Sequence, residues 1–188
     1  MKKIVLFASG SGSNVENIVK YFKENTKVEI SKVYTNNANA YVIERCKNLS
    51  IPCSIFGRKE FRENLSVLND IQTIQPDLIV LAGFLWLVPP AYVQAFPNKI
   101  INIHPALLPK YGGKGMFGHH VHEAVVANKE KESGITIHYV NEKYDDGNII
   151  RQEKCTLDSN DTPEDVASKV HALEYEYFPL AIKEILKA

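Results

Sequence analysis

Residues 3–22, KIVLFASGSGSNVENIVKYF, pass from an apolar run through a loop of small residues into a helical repeat. The run 3–8 reads as a strand, SGSGSN (9–14) as a tight loop, and Val15, Ile18, Val19 and Phe22 recur at helical spacing. Glycines 10 and 12 allow a sharp turn and a close backbone approach to a ligand, while Ser13 or Asn14 can cap the helix. A helix start favours an anion, so the loop is either a phosphate site or a capped turn of small residues. The dinucleotide fingerprint wants a third glycine where Val15 stands and an acid where Tyr34–Asn37 stand, and the Gly-Lys-Ser/Thr of a P-loop is absent. NAD, FAD and ATP are disfavoured, which leaves the phosphate of a smaller ligand.

Outward from this unit the alternation continues. Residues 28–35 read as a strand, 39–48 as a helix, 52–56 as a short strand and 60–74 as a longer helix, the order that builds a parallel sheet with right-handed crossovers. DLIVLA (77–82) lacks polar alternation, as a central strand buried on both faces does. IINIH (100–104) is a further strand, stopped by Pro105. GITIHYV (134–140) alternates, and the loop NEKYDDG returns the chain into a strand over 148–156. Thr162 as N-cap, Pro163 at the first helical position and Asp165 at the third open a last helix. Val166, Val170, Leu173 and Tyr177 mark its buried face, Glu174 beside them reads as a solvated helix residue, and Pro179 should kink or break it. The expectation is one α/β domain over residues 1–188. Its open, twisted, mostly parallel sheet is Rossmann-like and flanked by helices, with an antiparallel element toward the C-terminal part.

Composition narrows the function classes. Lys+Arg and Asp+Glu both number 22, and no segment gathers the cations that a nucleic-acid or membrane surface needs. The apolar run from Leu78 to Val88 is interrupted by Gly83 and too short to span a bilayer, and the chain enters a strand directly rather than a signal peptide, so a cytoplasmic protein is expected. Cys46, Cys53 and Cys155 lack metal or disulfide spacing. His119, His120 and His122 have no accompanying acid or Cys at ligand spacing, so no metal is expected. The glycines at 112, 113, 115 and 118 suggest a mobile flap instead.

Three features carry candidate chemistry. Asn102 and His104 leave the same face of a strand end, about 6.5 Å apart, and are either satisfied buried polar groups or a catalytic pair. GFLWLVPP (83–90) is apolar for a connection: either plain core packing, or the wall of a pocket for a flat ligand whose edge would meet free backbone groups of Leu85 to Val88. Asp145 can form an Asx-turn; brought near His104 it would raise the imidazole pKa and fix its tautomer. Thr136 and His138 share one face of their strand. The Gly10 loop, the Gly83 segment and His104 all lie at carboxyl ends of strands, where open parallel sheets bind ligands.

SGSGSN, AGF, NIHPALLPKYGG, GITIHYV and YDDGNII, in this order and spacing, resemble the phosphoribosylglycinamide formyltransferases, folate-dependent enzymes of purine biosynthesis, along essentially the whole chain. The resemblance implies formyl transfer from 10-formyltetrahydrofolate, a co-substrate, to the primary amine of glycinamide ribonucleotide, with neither metal nor NAD. It implies Asn102, His104 and Asp145 as catalytic residues, supported by Thr136 and His138. Gly12, Ser13, Asn14, His171 and Glu174 would hold the substrate phosphate and ribose. Arg58, the Leu85, Trp86, Leu87 and Val88 segment, Asn102, and the Asn141, Glu142, Lys143, Tyr144 and Asp145 loop would hold the folate. The phosphate-binding half would be about 1–100 and the catalytic and folate-binding half about 78–188. Partners would be small molecules, with no nucleic acid or membrane, and the chain a monomer or homodimer. Trp86 stands where relatives often carry Arg, and His171 where they often carry Gln or Lys. The alternatives are another folate-dependent formyltransferase (methionyl-tRNA or sugar-nucleotide), a formyltetrahydrofolate hydrolase, or, in a different class, a non-catalytic nucleotide-binding module.

Overall fold

The computed structural model describes residues 1–188. Its strands are β1 (Lys2–Phe7), β2 (Val28–Thr35), β3 (Cys53–Ile55), β4 (Leu78–Leu81), β5 (Ile100–His104), β6 (Glu132–Tyr139) and β7 (Ile149–Thr156). They form one sheet in the order β3-β2-β1-β4-β5-β6-β7. β1 to β5 run parallel, and β6 and β7 are antiparallel to their neighbours, which is the antiparallel element expected near the C-terminal part. The helices are α1 (Ser13–Phe22), α2 (Val42–Asn48), α3 (Ser66–Ile74), α4 (Pro90–Ala95), α5 (His119–Ala127) and α6 (Pro163–Leu186).

Strand alternation divides the interior into two cores. Ile4 and Leu6 of β1 pack with residues of α1, α2, α5 and α6, while Val5 and Phe7 face the side covered by α3 and α4. That second core is aromatic, with Phe7 stacked on Tyr34 at 5.0 Å and meeting Phe84 edge-on at 5.2 Å. All four residues of β4 are buried, as its unbroken apolar run requires of a strand covered on both faces. No helix is long and apolar enough to cross a membrane.

Local chemistry moved three boundaries. The helix expected over 39–48 begins at Val42. The helix expected over 60–74 is two pieces, a π-helical turn at Lys59–Glu63 and then α3, parted by Leu65 in the left-handed region at φ 54. There the Asn64 side chain accepts from the Ser66 N–H at 3.1 Å, a local bond that competes with helix continuation. α4 follows the segment read as an apolar connection, and Pro90 begins it at the position where a missing N–H costs nothing.

α6 opens on the expected capping box, Thr162 Oγ1 accepting from Asp165 N and the Asp165 carboxylate accepting from Thr162 N. It is not broken at Pro179 but continues to Leu186. Proline removes the N–H that would bond the carbonyl four residues earlier, here that of Tyr175. Asn17 Nδ2, from α1, donates to that same carbonyl at 2.9 Å. Burial of Phe178, Ala181 and Ile182 in the larger core holds the last turns against the sheet. Asn17→Ala should therefore cost about 1 kcal/mol in urea denaturation. It should cost nearly nothing in a Pro179→Ala background, where the backbone resupplies the donor; equal costs in the two backgrounds would rule the compensation out.

Candidate active site

Between β1 and β4 the strand order reverses, and there an open parallel sheet offers a crevice beyond its carboxyl ends. A cavity of about 710 Å³ lies at this place, bordered by the loops after β1, β4 and β5, the segment 113–119 and one face of α6. Ser9 ties two of the loops together, its N–H donating to Gly83 O and its hydroxyl accepting from Leu85 N, both at 3.0 Å.

One wall begins with the start of α1. Neither Ser13 nor Asn14 caps this helix; the N-cap is Gly12, in the left-handed region at φ 72, and no side chain bonds the first turn. Glu16 N–H closes on Gly12 O at 2.9 Å, so the preceding N–H groups have no intrahelical carbonyl and are available to an anion. Gly12 cannot be replaced without strain, since a Cβ there would lie 2.6 Å from Val42 Cβ. The loop is braced from α2, Val42 N donating to Gly10 O at 3.2 Å and Arg45 Nε to Ser11 O at 2.8 Å.

α6 completes this wall. Glu174, expected to be solvated, is 5% exposed. Its Oε2 accepts from Asn14 Nδ2 and from His171 Nδ1, both at 2.9 Å. The Glu174 bond raises the His171 pKa, against the opposing effect of burial. Asn14 Oδ1 is buried without a partner.

The opposite wall is the end of the β5–β6 ladder. Asn102 pairs across it with His138 and His104 with Thr136, which puts four polar residues on one face. Thr136 holds the chain after β5: its hydroxyl donates to Ala106 O at 2.7 Å and accepts from Leu108 N at 3.0 Å. His138 Nδ1 lies 2.9 Å from the Tyr139 carbonyl, so it carries the proton, and Nε2 accepts from Asn102 Nδ2 at 3.1 Å. His104 Nε2 is 2.6 Å from the Tyr111 carbonyl and donates to it. Nδ1 of the same ring faces Asp145 Oδ2 at 3.5 Å. Asp145, in the left-handed region at φ 50, also accepts from Gly113 N at 3.0 Å, whereas Asp146 is 55% exposed and paired with Lys143.

The expected rise in the His104 pKa is not found. Burial pushes it down, and the Asp145 charge and the Tyr111 carbonyl, which act upward, do not overcome it. The ring is therefore neutral near pH 7, with Nδ1 free to accept a proton. Asp145 goes the other way: burial would raise its pKa, but the bond from Gly113 N–H, and the stabilisation it gains whenever the His138 or His104 ring takes up a proton, hold the carboxyl below its usual range.

The residues expected around a folate are only partly gathered. Leu85 and Tyr144 border the large cavity. Trp86, Leu87, Val88, Lys143 and Tyr144 line an adjoining slot of about 60 Å³ that also touches Asn102 and Asp145. The backbone of this wall is not free as expected: Leu85 N is held by Ser9, Leu87 N donates to Tyr144 Oη at 3.1 Å, and Leu87 O accepts from Arg62 at 2.9 Å. Ser9, Tyr144 and Arg62, all outside the run, supply these partners, which an apolar run cannot announce. Asn141 and Glu142 border neither space, and Asn141 instead accepts from Lys143 N within its own turn at 2.9 Å. Arg58 lies outside both, its guanidinium 4.9 Å from the Trp86 ring centre.

Sequence reasoning missed the Tyr111 carbonyl and the Gly113 N–H, since any residue supplies a backbone group. It also missed His122, 4% exposed on the cavity border. The three neighbouring histidines diverge: His119 and His120 sit 3.5 and 3.3 Å from Glu123 at the surface, and His122 turns inward.

A family model described as formyl transferase matches residues 2–182. A phosphoribosylglycinamide formyltransferase of Haemophilus influenzae is 37% identical over 97% of this chain and 86% of its own length. One of Bacillus subtilis is 37% identical over 99% and 95%. The crystal structure of the phosphoribosylglycinamide formyltransferase of Bacillus halodurans superposes with a TM-score of 0.89 at 34% identity, covering 98% of this chain and 95% of that one. A uniform match of sequence and fold along the chain places this protein in the formyl transferase family.

Proposed function

We propose that the chain transfers the formyl group of 10-formyltetrahydrofolate to the primary amine of N1-(5-phosphoribosyl)glycinamide, giving the formylglycinamide ribonucleotide. The observation that carries this is the meeting, in one cavity, of an uncapped helix start with Asn102, His104 and Asp145. The phosphate lies against the first turn of α1, and the ribose reaches the Glu174 and His171 side. Residues up to about 100 supply most of the sugar-phosphate end and residues from about 78 the folate and catalytic end, with α6 reaching back to close the first. The pterin enters along Leu85 to Val88, replacing Tyr144 Oη as the partner of Leu87 N–H.

The chemistry follows from protonation. The amine nitrogen attacks the formyl carbon, and the carbonyl oxygen gathers negative charge that Asn102 Nδ2 stabilises by donating to it. Attack leaves the amine nitrogen with an excess proton. His104, neutral and with Nδ1 as acceptor, takes that proton, and the charged Asp145 beside it stabilises the imidazolium formed. His104 then returns the proton to the departing folate nitrogen as the carbon–nitrogen bond breaks. This order differs from a ring that is protonated at rest, and it suits an imidazole kept neutral by burial.

Following absorbance as 10-formyltetrahydrofolate becomes tetrahydrofolate tests the assignment; absence of turnover with glycinamide ribonucleotide, despite tight binding of it, would refute it. Asp145→Asn should lower kcat by roughly 10² to 10⁴-fold while Asp146→Asn leaves it unchanged, and the reverse outcome would move the acid to Asp146. Gly12→Ala should raise KM for the ribonucleotide by about tenfold, a hydrogen bond's worth of affinity, and leave KM for the folate unaltered.

A further inference from the structure

On the sugar-phosphate wall two buried polar atoms have no partner, Asn14 Oδ1 and His122 Nδ1. Buried polar groups are nearly always bonded, so a pair of exceptions bordering one large cavity points to a ligand. His122 comes from α5, whose Val121 and Val125 share a core with Val166 and Val170 of α6. The packing of those two helices sets the ring beside the wall formed by Ser13, Asn14, His171 and Glu174. We infer that His122 belongs to the sugar-phosphate subsite and takes up a proton from solvent when a phosphate monoester docks at the start of α1. This rests on the placement of the phosphate in the preceding section and adds a residue and a proton to it.

The charged and titratable groups around the ring decide its state. α6 presents His171 and Glu174, α5 itself His119, and β5 His104; α1 presents only neutral Ser13 and Asn14, its Glu16 being paired with Lys20 and Arg45. Burial pushes the His122 pKa down first, and the His171, His119 and His104 rings add to this against Glu174. His171 is held toward its cationic form by Glu174, whereas burial favours the neutral form of His122. A monoester whose second pKa is about 6 arrives above pH 7 as a dianion. Two negative charges brought against this wall favour the charged form of His122, and a proton passes from buffer to a ring nitrogen with no other bond made or broken. By linkage, affinity for the dianionic ester falls as pH rises through the His122 pKa of the complex, by about tenfold for each unit the ester lifts that pKa, and below pH about 6 protonation of the free ester weakens binding again.

Calorimetry of ribose 5-phosphate binding at about pH 7.5, in buffers of different ionisation enthalpy, counts the protons directly. Net uptake of roughly 0.2–0.4 proton, growing as the pH is lowered toward 7, is expected for the wild type and for His171→Gln. His122→Gln should still bind the ester but without uptake, and with weaker affinity than the wild type, by up to about tenfold, near pH 6.5. Equal uptake in the wild type and His122→Gln, or binding by the wild type without uptake, would overturn the proton coupling alone. No binding by the wild type would instead remove the subsite on which it rests, a result separable from the turnover assay with the complete substrate. If His122→Gln does not fold by circular dichroism, titration of the His122 ring resonance in the wild type gives the answer. Its pKa must rise on saturation with ribose 5-phosphate, and an unmoved pKa would overturn the inference.

Discussion

A carboxylate kept charged at 10% exposure is the constraint around which the β5–β6 end of the cavity is built. Burying Asp145 favours its neutral form, and only a convergent set of donors and imidazoles reverses that preference. The set comes from three places: Gly113 from the segment after β5, His104 from β5 and His138 from β6. Because one carboxylate touches all three, the 141–147 loop, the glycine-rich segment and the sheet edge cannot be positioned independently. The antiparallel β5–β6 pairing makes this possible, since it sets Asn102 opposite His138 and His104 opposite Thr136 on one face.

The polar face has a structural cost that the rest of the sheet offsets. Four polar side chains occupy positions at the end of β5 and β6 where apolar residues would pack, and each needs a partner once buried. Thr136 spends its hydroxyl on the turn at Ala106 and Leu108, and His138 spends one nitrogen on its neighbour's carbonyl. Two continuous apolar cores, one on each side of the sheet, allow this edge to serve chemistry.

Much of this was legible in the chain. Apolar runs ending in glycine or proline located β1, β4 and β5, and strand-helix alternation gave the parallel order, because both signals come from burial on two faces. The capping box of α6 was legible since it is local. Interactions between distant segments were not. The continuation of α6 through Pro179 depends on Asn17, 158 residues away from the carbonyl it serves. Glu174 reads as solvated from sequence because one of its partners, Asn14, comes from the other end of the chain. The split of the 60–74 helix had a local cause, Asn64 beside Ser66, but a single side-chain bond leaves no trace in an apolar period. The sign of the His104 shift was misjudged for a related reason: sequence suggests which charge is nearby but not how much solvent is lost, and here the loss of solvent outweighs the charge.

The carboxylates of the two walls therefore treat their nearest histidines in opposite ways. Against α6, a carboxylate within hydrogen-bond reach holds His171 toward its cation, suited to attracting an anion. Against β5, the nearest carboxylate stands at 3.5 Å, beyond an efficient hydrogen bond, and burial leaves His104 neutral. Shortening that distance would stabilise the imidazolium at rest and remove the acceptor; removing the carboxylate would leave a newly formed imidazolium unsupported. An Asp145 held off by its bond to Gly113 N would satisfy both demands of the proposed proton transfer, letting His104 begin as an acceptor and still compensating the charge once a proton has arrived.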